Sequence, residues 1–257
     1  ALTTPHGNNE RSRVLGEGNE VPDQGAYADR SWNDSQKNHA AMITRMDDGV
    51  GEVLKFLREQ KLDENTLVMF SSDNGPHREG GPNYDPTFFS ASGPLTGIKR
   101  ALTDGGIRVP FIARWPGRVP AGRTSSQLIC HTDLLATVVD MVGERLPEDA
   151  GEDSVSLVPE LLGTTATGVR EATLHQSASG DLAIRQGRWK LLFLKGGKKE
   201  LYDLEADLGE TTDVLAANAE VAAKLTALMQ RTITEGRSTV GAAQKNEFNL
   251  TISARGE

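Results

Sequence analysis

Residues 66–117 read TLVMFSSDNGPHREGGPNYDPTFFSASGPLTGIKRALTDGGIRVPFIARWPG, and the rest of the chain is organised around them. The apolar run 66–71 stops at Ser72-Asp73-Asn74-Gly75, the pattern of a buried strand opening into a turn. That turn sets a carboxylate beside an amide. Oxygen donors of this kind suit hard cations such as calcium or magnesium, and a rigid strand end lowers the ordering cost of the site. Downstream, Gly97-Ile98-Lys99-Arg100 and Asp104-Gly105-Gly106-Ile107-Arg108-Val109-Pro110 bring fixed positive charge and permissive backbone toward the same turn. Metal donors next to fixed positive charge predict an anionic, phosphate-like or sulfate-like substrate. A second buried strand is predicted over 109–115, ended by Pro116-Gly117.

Two phrases in this stretch, SSDNGPHREGG and GPLTGIKRALTDGGIRVPFIARWPG, together resemble the second signature region of sulfatases, a branch of the alkaline-phosphatase superfamily. The resemblance extends to Pro5-His6 upstream and to ELYDLEADLGETTDVL at 200–215, so it covers most of the chain. It implies an α/β fold: part of an alkaline-phosphatase-like sheet flanked by helices, followed by a small C-terminal antiparallel sheet with a helix. It implies that Asp73 and Asn74 are ligands of a divalent ion, usually calcium with magnesium as the alternative. Lys99 would contact the sulfate, and His6 the sulfate or the leaving-group oxygen, which makes both catalytic candidates. A histidine can act as a general acid near neutral pH, and a lysine supplies a point charge for a tetrahedral oxyanion. His77, just after the metal turn, is a substrate-binding candidate, whereas Arg78 and Glu79 read as solvated loop residues. The substrate of the parent enzyme would be a sulfated small molecule or glycan.

The family's nucleophile comes from a Cys/Ser-x-Pro-x-Arg pattern and becomes formylglycine, preceded by an Asp-Asp metal pair. Neither is found here. Ser92-Gly93-Pro94-Leu95-Thr96 lacks the arginine, and Asp47-Asp48 falls in the middle of a helical pattern, where it reads as helix surface. The expectation is therefore a C-terminal fragment of a sulfate ester hydrolase, inactive alone, with residues 1–150 from the catalytic α/β domain and 151–257 a connector and a small α+β subdomain. A phosphate or phosphonate ester hydrolase would share the metal turn and the lysine. A non-catalytic binding or assembly module is the alternative from another class.

Composition narrows the classes further. The chain has 257 residues, 37% hydrophobic and 25% charged, an ordinary globular balance long enough for a substantial core. A formal net charge of −8 argues against a nucleic-acid surface and a polybasic membrane patch. An anionic substrate would instead be drawn by local charge on Lys99, Arg100 and Arg108. Cys130 is the single cysteine, so no intrachain disulfide forms and the compartment stays open, a periplasmic or secreted parent included. No apolar run reaches membrane-spanning length and no signal peptide is visible in a chain that begins at Ala1.

In chain order, residues 1–35 lack periodicity and read as a loop over the site. Residues 34–60 then carry Ile43, Met46, Val50, Val53 and Leu57 at helical spacing, with Asp34 or Ser35 as the N-cap. Phe88-Phe89 reads as a loop anchor and Trp32 as packing. A short strand is predicted over 124–129, with Cys130 buried, and a helix from His131 to Val142 with Asp133 and Asp140 as first-turn and solvent-face carboxylates. Residues 171–204 alternate as an antiparallel sheet with a hairpin at Gly196-Gly197. A helix over 220–232 buries Val221, Leu225 and Leu228. A fragment of this kind is also expected to self-associate through an exposed sheet edge.

Overall fold

The three- and four-residue apolar spacing after Trp32 winds into helix α1 (Asp34–Glu59). The computed structural model of the chain describes residues 21–79, 83–164, 170–246 and 252. His6 lies outside the described residues. The N-cap of α1 is Asn33, one residue before the expected position. Its side chain accepts from the Gln36 N–H at 2.9 Å while the Gln36 side chain accepts from the Asn33 N–H at 3.2 Å, a reciprocal capping box. Asp34 instead sits in the first turn, where a carboxylate faces the positive end of the helix dipole. The far end closes with Lys61 in the left-handed region (φ 57), the Leu62 N–H reaching the Leu57 carbonyl at 2.9 Å. Asp47 and Asp48 are exposed mid-helix, as their position predicts.

The chain divides into two compact units, residues 1–99 with 105–116, and residues 100–104 with 117–257. In the first, strands β1 (Val68–Ser71) and β2 (Phe111–Arg114) pair antiparallel, Val68 opposite Arg114 and Ser71 opposite Phe111. Both are shorter and less buried than their apolar runs suggest, and Ile112 is 61% exposed. In a two-stranded ribbon each strand has one hydrogen-bonded neighbour, so half-burial is what the pairing provides. Arg114 clamps Asp63 through two bonds of 2.6 and 2.8 Å, and the Trp115 indole donates to the Glu64 carbonyl at 3.0 Å, tying β2 to the turn after α1. Trp32, Phe88 and Phe89 pack edge to face, with centroids 4.7–5.6 Å apart, which is the anchoring expected of them.

The second unit is a four-stranded antiparallel meander, β3 (Thr173–Gln176), β4 (Leu182–Gln186), β5 (Trp189–Phe193) and β6 (Lys199–Asp203). Period-two alternation sends Ile184, Leu191, Phe193 and Leu201 to one face. There they bury against Ala222, Leu225, Leu228 and Met229 of helix α5 (Ala219–Glu235). Burying a leucine or phenylalanine contributes roughly 1.5–3 kcal/mol, so this cluster is a main source of the unit's stability. The opposite face carries Ala183, Leu192 and Tyr202 packed with Leu102 and Leu204. Both faces of this sheet are therefore covered. Gly196 and Gly197 take φ of 73 and 75 in the β5–β6 connection, as a glycine hairpin requires.

Between 117 and 164 lie helices α3 (Asp133–Met141) and α4 (Val158–Leu161), the label α2 belonging to the short helical turn Asp104–Ile107. Residues 124–129 form no strand among the described residues, Cys130 is half-buried, and His131 is exposed. Asp133 departs from expectation: it is fully buried. Its carboxylate accepts from the Cys130 and Val155 N–H groups at 2.7 and 3.0 Å and forms an ion pair with Arg170. A buried carboxylate needs these partners, and an arginine 37 positions away supplies the charge that helical periodicity cannot reveal.

Candidate functional site

The site grows from the end of β1. Ser71 donates its hydroxyl to the Pro110 carbonyl at 2.8 Å and Ser72 its own to the Asn74 carbonyl at 2.9 Å, so the turn leaves the strand in a fixed direction. The Asn74 amide nitrogen donates to the Gly75 carbonyl at 2.7 Å, which leaves its Oδ1 as the acceptor end. Gly75 donates to the Gly106 carbonyl at 2.9 Å, and a Cβ at residue 75 would lie 1.9 Å from the Gly105 oxygen. Only glycine fits there. Gly105 in turn donates to the Thr96 carbonyl at 2.8 Å, closing the loop that carries Lys99. The Lys99 N–H donates to the Pro76 carbonyl at 2.7 Å. Two backbone hydrogen bonds thus seat the Lys99 loop against the Asp-Asn turn, and a third closes the loop on itself.

Side chains complete one wall. The Lys99 ammonium lies 2.9 Å from Glu79 Oε2, with side-chain exposures of 30% and 19%. Glu79 is thus a partner of the site lysine, and its reading as a solvated loop residue is corrected. The Glu79 N–H donates to His77 Nδ1 at 2.9 Å, so neutral His77 carries its proton on Nε2. His77 in turn faces the rings of Tyr84 and His39, with centroids 5.7 and 6.4 Å away. His39 Nε2 meets the Tyr84 hydroxyl at 3.2 Å. Burial, then electrostatic repulsion between the neighbouring His39 and His77 rings, lowers His39 to about 4, while burial and the Asp85 charge push Tyr84 up to about 12. Both are neutral at physiological pH.

Of the residues singled out from sequence, Asn74, His77 and Lys99 are half-buried in this arrangement, Asp73 is exposed at the turn, and His6 falls outside the described residues. His39 and Tyr84 were not foreseen. A signal existed for His39, which sits one turn before Ile43 on the apolar stripe of α1, where a polar residue is out of place. Tyr84 lies in an aperiodic loop and gave none.

As a cation site, Asp73 and Asn74 fit in donor type, a carboxylate oxygen and an amide oxygen. They supply two of the roughly six to eight oxygens that calcium takes. Among the described residues no group of three or more His, Cys, Asp or Glu side chains is arranged to hold a metal. The arrangement can present the positive charge of Lys99 to a tetrahedral anion and two hard oxygen donors to a cation.

Comparison with known proteins adds a second line of observation. A family model described as sulfatase matches residues 3–144, and one described as N-sulphoglucosamine sulphohydrolase, C-terminal, matches residues 98–238. The chain is 32% identical over 209 residues to N-acetylgalactosamine-6-O-sulfatase of Bacteroides thetaiotaomicron, covering 74% of this chain and 40% of the relative. It is 37% identical over 169 residues to the N-acetylgalactosamine-6-sulfatase of Canis lupus familiaris, covering 65% of this chain and 31% of the relative. Its fold matches the crystal structure of Ps i-CgsB in complex with k-i-k-neocarrahexaose at a TM-score of 0.70 and 26% identity, over 86% of this chain and 48% of that one. The chain thus spans less than half the length of the relatives it matches.

Proposed function

Since the chain belongs to the sulfatase family, we propose that it carries part of the active site of a sulfuric ester hydrolase acting on a sulfated glycan. The observation that carries this reading is the seating of the Lys99 loop on the Asp73-Asn74 turn through Gly75, Pro76 and Gly105. Lys99 would place its ammonium against the sulfate oxygens and offset their negative charge as the ester binds and reacts. Its backbone bond to Pro76 seats the loop from which this side chain extends. Asp73 and Asn74 would hold a divalent ion, calcium or magnesium, which would supply Lewis-acid polarisation of a sulfate ester. The nucleophile that bonds to sulfur as the S–O bond breaks is not supplied by these residues; His6 would give a proton to the departing alcohol oxygen, and His77 would contact the substrate. The glycan class is taken from the relatives, whose names specify N-acetylgalactosamine 6-sulfate.

These 257 residues contain no Cys/Ser-x-Pro-x-Arg sequence from which a formylglycine nucleophile could arise. The chain by itself is therefore inactive, and with two donors it binds calcium weakly. The test is to incubate the purified chain with an aryl sulfate and with N-acetylgalactosamine 6-sulfate, with and without calcium, and to titrate inorganic sulfate in parallel. We expect no turnover, but sulfate binding that Lys99→Met abolishes. Sustained hydrolysis would overturn the inactive half-site, and sulfate binding indifferent to Lys99 would overturn the assignment of the anion site.

A further inference from the structure

We propose that Glu79 is a built-in counter-ion of Lys99, which a sulfate must displace, and that it thereby sets the affinity of the site for anions. The inference rests on the reading that Lys99 receives the sulfate. The ammonium and Glu79 Oε2 are 2.9 Å apart, and with side-chain exposures of 30% and 19% the pair is partly sheltered from water and salt. Both partners are fixed from behind. Lys99 is held by its backbone bond to Pro76, and Glu79 by its N–H to His77 Nδ1 at 2.9 Å. The carboxylate is therefore delivered to the lysine by the fold and is no chance surface encounter.

One ammonium cannot serve two anions equally. A sulfate approaching Lys99 meets a like charge already within hydrogen-bond distance, so its binding free energy is the difference between the Lys99–sulfate and Lys99–Glu79 contacts. Without ligand, the carboxylate spares the half-buried ammonium an unpaired charge. With ligand, the same carboxylate weakens the hold on any anion, the released inorganic sulfate included. Glu79 acts on ligand through Lys99 and is a positioning residue in this sense.

Inorganic sulfate binding by the full chain tests this, measured calorimetrically for the wild type, Glu79→Gln, Lys99→Met and the double variant. Glu79→Gln should bind sulfate about five- to tenfold more tightly, the range expected from removing one partly screened competing charge. Lys99→Met should lose binding, and the double variant should match Lys99→Met. Should Lys99→Met bind sulfate as the wild type does, or neither the wild type nor Glu79→Gln bind it, the Lys99 reading fails and takes this one with it. A loss in Lys99→Met together with unchanged or weaker binding in Glu79→Gln overturns the counter-ion role alone. Glu79→Asp, which keeps the charge on a shorter stem, covers the case in which circular dichroism shows Glu79→Gln unfolded. It should bind more tightly than the wild type, and equal or weaker binding overturns the proposal.

Discussion

Lys190 is a fully buried lysine with two carboxylate partners. It sits in β5 at 1% exposure, 2.8 Å from Asp104 Oδ1 and 2.8 Å from Glu210 Oε1. Arg185 adds a second cation 3.3 Å from Asp104, and burial pushes the Glu210 carboxyl up against the pull of Lys190. Lys190→Met removes the shared ammonium and leaves two buried carboxylates, so it should cost about 3–5 kcal/mol in chemical denaturation. The sequence shows the anomaly, a lysine inside an apolar strand, but not its partners, which lie at residues 104 and 210. Histidines give a pH signature. His175 is lowered to about 4 by burial, then by Lys190, Arg170 and Arg185 against the opposing charge of Asp104, and His39 is lowered to about 4 as well. Both bind a proton less readily folded than unfolded. Their contribution is complete above the unfolded value near 6.5 and is lost as pH falls from there toward 4. Thermal unfolding between pH 7 and 5 should show a loss on the order of 1–2 kcal/mol per histidine, with a shallower slope in His39→Gln and in His175→Gln. Glu210, with a raised carboxyl, works in the opposite sense, so comparison with each variant isolates the histidine.

At the scale of elements, strongly periodic segments were legible and long-range partners were not. Helix α1 follows its apolar spacing to within a residue at each end, and α5 follows Leu225 and Leu228, because amphipathic spacing is a local property. Asp133 defeated the same logic. A first-turn aspartate on an amphipathic helix reads as solvated until Arg170 is placed beside it. The Asp-Asn-Gly turn and the Gly105-Gly106 pair were readable as turns. What no local rule shows is that Gly75 must be glycine because the Gly105 carbonyl fills the space a Cβ would take. Gly75→Ala should therefore separate the two loops, lowering stability by about 1–3 kcal/mol and weakening sulfate binding along with it. Retention of wild-type sulfate affinity in that variant would detach the anion site from the loop contact. The candidate site was half legible for the same reason. Motif resemblance pointed to Asp73, Asn74, His77 and Lys99, while Glu79 and Tyr84 join them through contacts that loop sequence does not encode.

For the whole molecule, the net charge of −8 sets the background for the proposed attraction of an anion by Lys99. Raising ionic strength should thus affect sulfate binding through Lys99 more than through long-range steering. Apolar side chains reach solvent in both units: Ile43, Phe56 and Ile112 in the first, Leu135, Val138 and Val142 in the second. Together with the β1–β2 ribbon, which pairs with no third strand among the described residues, they lead us to expect concentration-dependent association. Sedimentation velocity across the micromolar range should show species heavier than the 27.7 kDa monomer, and a single sharp monomer boundary would count against it. The division between the units carries a consequence for how such a chain can be rearranged in evolution or by hand. Because residues 100–104 belong with 117–257 while their neighbours on both sides do not, neither unit is one uninterrupted stretch of gene. A recombination breakpoint at residue 117 would transplant the four-stranded sheet without Asp104 and Leu102, leaving Lys190 with half its counter-charge. Inheritance of the two units is thus coupled by five residues, and a successful chimera has to carry that insert across with the sheet it serves.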